Sequence, residues 1–158
     1  MNRKITAVIL SISLAIGTAI AGSPQFDIEC GGVTAKEGYY LVKVWVHSNK
    51  KAPDDMAIRE AAVRGVLFRG VAPAEGCQSL RPIAGSQTSE DQHADYFNAF
   101  FNTEKKYLSY ASIISGSYET EKLKKKSYRI GAKVMVAKDQ LRRDLENAGI
   151  IRGLSTGF

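Results

Sequence analysis

Two stretches of the chain alternate apolar and polar residues with a period of two, the signature of strands with one buried face. In the first, Tyr40, Val42, Val44 and Val46 share a face, and Tyr39, Leu41, Lys43, Trp45 and His47 share the other. In the second, from Lys126 to Ala137, Tyr128, Ile130, Ala132, Val134 and Val136 alternate with Arg129, Gly131 and Lys133. Tyr107 to Ser115 reads as a third strand, Val33 to Lys36 as a short extra one, and Gly116 to Lys125 as a polar connection.

Helical spacing predicts three helices. The first runs from about Asp55 to Phe68, opened by Pro53, Asp54 and Asp55 and stopped by Gly70. Ala61, Ala62 and Gly65 suit close packing on a sheet, and Glu60 and Arg64 are spaced for an i,i+4 pair on a polar side that also holds Arg59. A second helix follows the capping-box spacing of Ser89 and Gln92 and ends near Asn102, with Tyr96, Phe97, Phe100 and Phe101 on its apolar side. Asp139 to Ala148 carries Leu141 and Leu145 in a stripe before Gly149. Between the first two helices lies a long link, Val71 to Thr88, of a length that is usually functional or disordered. The order of elements implies an α+β two-layer sandwich, a roughly three-stranded, mainly antiparallel sheet packed with three helices.

The first 21 residues are patterned differently. Arg3 and Lys4 precede an apolar stretch from Ile5, and Ala19-Ile20-Ala21 forms a small-x-small site, so a signal peptide cleaved before Gly22 is expected. The competing reading, a retained anchor, is short at 17 residues, four of which are hydroxyl-bearing. The first cysteine is Cys30, so a lipid-modified N-terminus is not expected. The divisions are 1–21 signal, 22–38 lead-in segment, 39–149 a single α+β domain and 150–158 a C-terminal tail. No second apolar segment follows, so no transmembrane segment remains after cleavage, and the protein is expected in the periplasm or outside the cell.

Composition then narrows the classes. The 158 residues are 44% hydrophobic and 24% charged, with a formal net charge of +6. This excludes a disordered tail, a multispan membrane protein and a disulfide-dense miniprotein. Cys30 and Cys77 permit one pairing, and an oxidising compartment favours it.

Other chemistry is sparse. His47 and His93 with the two cysteines have no close ligand spacing, so neither a metal nor any other cofactor is expected. Cys77 with His93 would be a nucleophile–base pair only if the thiol were free. Ser115-Gly116-Ser117 reads as a turn, not a nucleophile elbow. Lys122, Lys124, Lys125, Lys126 and Arg129 form the densest basic cluster, which Lys105 and Lys106 could join. It could contact an anionic glycan or lipid head group, or simply be a solvated hairpin whose lysines discourage edge pairing. No aromatic–basic alternation points to nucleic acid. Trp45, sharing a face with Lys43 and His47, is expected half exposed, marking a partner contact. The phenylalanines are expected in the core, or lining a ligand pocket.

The segments Tyr40 to Trp45, Ala62 to Phe68, Tyr96 to Phe101, Tyr128 to Gly131 and Ala148 to Leu154 resemble a group of uncharacterised small secreted proteins of Gram-negative gut anaerobes. Ala57 to Leu67 and Val134 to Leu145 are more distantly similar to envelope lipoproteins of the flagellar outer-membrane assembly type. The resemblance implies export, a cell-envelope setting and one small domain, with no activity attached. The expected function is a non-enzymatic binding or assembly module whose partner is another envelope protein. A small-ligand or glycan-binding protein is the alternative, and a cysteine-dependent enzyme a third.

Overall fold

The computed structural model describes residues 25–153. The expected signal segment, 1–21, and the end of the tail, 154–158, lie outside them. The elements run β1 (Phe26–Cys30), β2 (Tyr40–Ser48), α1 (Asp55–Arg64), α2 (Gln87–Gln92), α3 (Ala94–Asn98), β3 (Ala111–Ile113), β4 (Glu119–Lys124), β5 (Ser127–Val136) and α4 (Lys138–Asn147). The fold is α+β with an antiparallel sheet and four helices. The sheet has five strands, not three.

The two alternating stretches become its centre. β2 and β5 pair antiparallel from Tyr40↔Val136 to Ser48↔Tyr128. β1 pairs with β2 on one side, while β3 and β4 share the other side of β5. Pairing matches like faces, so Phe26, Val42, Val44, Val46, Ile130, Ala132, Val134 and Val136 meet in one core. Buried residues of α1, α3 and α4 complete it, including Ile58, Val63, Phe97, Leu141 and Leu145.

Several expected boundaries move. Val33 to Lys36 is not a strand; β1 precedes it and draws the lead-in segment into the sheet. The expected third strand contracts to β3, because Lys106–Ser109 coils into a 3-10 turn that buries Tyr107. The expected polar connection contains β4, every residue of which is exposed.

α1 starts as read, with the Asp54 carboxylate accepting from Met56 N and Ala57 N, each at 3.1 Å. It continues as a π-helical turn, Gly65–Arg69, and stops at Gly70, whose φ of 72° suits glycine. Gly65 lets this helix touch the sheet; a Cβ there would collide with Ile28. The Ser89–Gln92 capping box is not used, because the helix already begins at Gln87, after Ser86. A break at His93 then separates α2 from α3, which continues as a π-helical turn, Ala99–Thr103.

The long link is pinned, not loose. Ile83 N and Ala84 N donate to Val66 O and Leu67 O, at 3.1 and 2.9 Å, satisfying carbonyls at the end of the first helix. Val71 bridges to Leu80, Tyr40 Oη donates to Gln78 O, and Cys77 is bonded to Cys30 with Cα atoms 6.4 Å apart. The disulfide spans 47 residues of sequence. In the chain-entropy account a loop of that size is worth roughly 4 kcal/mol.

Candidate functional site

One face of the sheet is apolar and helix-covered; the other carries Asp27, Glu29, Lys43, Trp45, His47, Glu119, Glu121, Arg129, Gly131 and Lys133. Register sets its arrangement. Trp45 lies between Asp27 on β1 and Gly131 on β5, and Gly131 pairs onward with Glu119 on β4. Gly131 leaves the space for the indole: a Cβ there would sit 2.6 Å from Trp45 Cε3. The cations close over the ring, with Lys43 Nζ 4.6 Å and Arg129 Cζ 4.5 Å from its centroid. Trp45 Nε1 donates to Glu29 Oε1 at 3.1 Å.

Trp45 is therefore 5% exposed, not half exposed. The charges around it are also engaged. Lys43 reaches Glu119 at 2.9 Å, and Arg129 reaches Asp27 at 3.0 Å and Glu121 at 3.5 Å. Of the three residues expected at a partner contact, His47 is exposed and Lys43 half-buried.

The basic cluster is placed differently. β4 and β5 are joined by a tight turn at Lys125 and Lys126, with Lys126 at φ 56°, a conformation that favours glycine or asparagine. Lys122 pairs across from Tyr128 and Lys124 from Ser127. Because Tyr128 also faces Ser48, the loop after β2 leaves the sheet at this same end, and that loop holds Lys50 and Lys51. Strand spacing places all six lysines within roughly 15–20 Å of one another. Lys105 and Lys106 do not join them. β3, which they precede, pairs with Val134 to Val136 at the far end of β5.

These six lysines are exposed, and none has an ion-pair partner among the described residues. The nearby acids are taken. Asp54 caps α1, Asp55 accepts from Tyr118 Oη at 2.6 Å, and Glu121 and Asp27 hold Arg129. The Asp55 bond, with some burial, holds the Tyr118 phenol above its usual pKa. Arg129, expected in the cluster, belongs to the Trp45 face instead. Lys50 and Lys51 were missed because their loop reads as an ordinary turn; only strand pairing brings them to the hairpin.

The remaining candidates are structural. Cys30 and Cys77 are bonded to each other, so the Cys77 thiol is not available to His93. No group of three or more His, Cys, Asp or Glu residues among the described residues is placed to hold a metal ion. Phe97, Phe100 and Phe101 are buried and pack edge-on and stacked with Phe68, Tyr96, Tyr107 and Tyr110. Ser115 to Ser117 is a turn, with Ser117 Oγ donating to Ile114 O at 2.7 Å. Arg64 is buried over the Phe101 ring and holds both Glu60, at 2.8 Å, and Glu90, at 2.5 Å. The Tyr110 hydroxyl donates to Asp144 at 2.7 Å, and burial followed by that bond pushes its pKa far above the ordinary phenol value.

No helix among the described residues is long and apolar enough to cross a membrane. The disulfide fits an exported protein. No family model, no curated protein and no solved structure matches the chain.

Proposed function

We propose that this protein is an exported, non-enzymatic binding module of the cell envelope, and that it holds its partner through the lysine end of the sheet. The envelope setting follows the resemblance to small secreted proteins and envelope lipoproteins. One observation carries the contact surface: two lysine runs, 50–51 and 122–126, converge without an ion pair among the described residues, while the acids around them, Asp27, Asp54, Asp55 and Glu121, are occupied. Edge protection accounts for Lys122 and Lys124 on β4. It does not account for Lys50 and Lys51, which lie on a loop. Like charges brought together raise the free energy of the fold and create a positive field that an anionic partner relieves.

The Trp45 face is the second surface, and it holds its charges internally. A small-ligand protein using the Phe97 helix loses ground because those rings fill one another's space.

A photo-cross-linking residue at position 124, compared with one at position 133, tests the reading in cells. Adducts with envelope components from position 124, lost when Lys50 and Lys125 are changed to glutamine, are expected. Adducts from position 133 alone, or from neither, would overturn it.

A further inference from the structure

The lysine end has features that select among anionic partners. All six cations are lysines on flexible stems, and Arg129, the arginine of the adjoining strand, is already held by Asp27 and Glu121. They are spread over a hairpin tip and a neighbouring loop, not gathered in a cleft. Spread, mobile point charges suit a surface of smeared negative charge.

Apolar side chains sit among them. Leu123, between Lys122 and Lys124, is 47% exposed, and Met56, just after the Lys50–Lys51 loop, is 41% exposed. Neither is needed to fill the core. An exposed apolar side chain flanked by lysines beside a hairpin tip suits a segment that rests in a bilayer interface.

Chain connectivity points the same way. β1 begins at Phe26 opposite Val46, and His47 N donates to Gln25 O, so the chain enters the sheet at the lysine end. In sequence, only Gly22 to Gln25 separate that point from the apolar stretch ending at Ala21. Four residues span at most about 14 Å. The expected signal stretch would therefore hold the lysine end nearest the membrane until cleavage.

We infer that the lysine end docks on an anionic lipid bilayer, with lysines 50, 51, 122, 124, 125 and 126 over the head groups and Leu123 set into the interface. This rests on the binding-module reading and names its partner surface. The docking is peripheral and reversible, and it orients the Trp45 face away from the lipid, along the side of the sheet.

Flotation of the purified chain from Gly22 onward, the form expected after cleavage, with vesicles tests it. The probes are phosphatidylglycerol mixed with phosphatidylcholine, phosphatidylcholine alone, and heparin as a polyanion without a bilayer. The parent is expected to bind the anionic vesicles, and to release as salt rises. A variant carrying Lys50→Gln, Lys124→Gln and Lys125→Gln is expected to bind roughly 100-fold more weakly. Leu123→Ser is expected to weaken binding roughly tenfold while leaving the salt dependence unchanged. Unchanged thermal unfolding of both variants establishes that they fold.

Equal vesicle binding by parent and lysine variant would overturn the inference, because the lysines would then contribute nothing to it. Heparin binding without vesicle binding would also overturn it, in favour of an acidic polysaccharide. If position 124 still cross-links in cells in either case, the binding module stands and only its lipid partner falls. If neither vesicles nor cells give a signal, both readings fall.

Discussion

On the open sheet face, Lys43 and Arg129 lie over an indole ring and reach three carboxylates on two neighbouring strands, β1 and β4. At the last pair of β4 with β5 and in the turn beyond it, Lys124, Lys125 and Lys126 reach none among the described residues. The two regions share residue types and lie within a few residues of each other. They differ in what stands across from each cation. On the face, register sets Lys43 and Arg129 beside acids and an aromatic ring, and burial of the ring holds the pairs in place. At the end of the sheet the ladder stops, so no neighbouring strand is left to supply an acid. Charge alone therefore does not identify a contact surface; the acids that have been used up do.

The strongest break in this comparison is removal of the ring. Trp45→Ala should cost about 3–5 kcal/mol in urea unfolding, the range for emptying a buried tryptophan site. It should also release Lys43 and Arg129 to solvent. Gly131→Ala tests the same packing from the other strand, since its new methyl would press into Trp45 at 2.6 Å; about 1–3 kcal/mol is expected from that overpacking. A loss below about 1 kcal/mol for Trp45→Ala would mean that the ring supports little, and that the face is free to serve as a contact.

This placement of Trp45 was half legible in the sequence. Alternation through Val42, Val44 and Val46 identified the strand and its core face. Lys43 and His47 beside Trp45 suggested exposure, because composition of one strand says nothing about its neighbour. Gly131 was the available signal: a glycine inside a strand often marks close approach by another group. Without the pairing of Trp45 with Gly131, nothing connected the two. β4 was missed for a related reason. Glu119 to Lys124 has no apolar face, and its strand character comes from pairing with β5. β1 is five residues long, too short for periodicity to show against the glycines that follow it. The Cys30–Cys77 bond was legible because two cysteines allow one pairing. The helix from Asp55 was legible because its cap is local. The lysine end was visible only as the run 122–126; its other half, Lys50 and Lys51, is a product of topology.

A smaller effect separates a paired lysine from packing. In a double-mutant cycle of Lys43→Gln and Glu119→Gln, the coupling should be about 0.2–1 kcal/mol, since the Glu119 side chain is half exposed to solvent. The coupling should shrink as salt is added. A value above about 2 kcal/mol would show that the charges on the face act as one network, which would make the face more rigid than its exposure suggests.

The smallest change in stability is expected at the lysine end, and its sign carries the information. Lys50→Gln, Lys124→Gln and Lys125→Gln together should alter the unfolding free energy by no more than about 0.5 kcal/mol, because each removes an exposed charge with no partner. Any shift at low salt should be a gain, from relief of mutual repulsion, and added salt should erase it. Lys43→Gln should do the opposite: a loss at low salt that fades as salt screens the Glu119 attraction. Measured side by side, the two salt dependences should slope in opposite directions. A triple variant that instead lost about 1 kcal/mol or more at low salt would mean that these lysines are held by acids within the fold. The positive end of the sheet would then be as self-contained as the Trp45 face, and it would have no charge left over for a membrane.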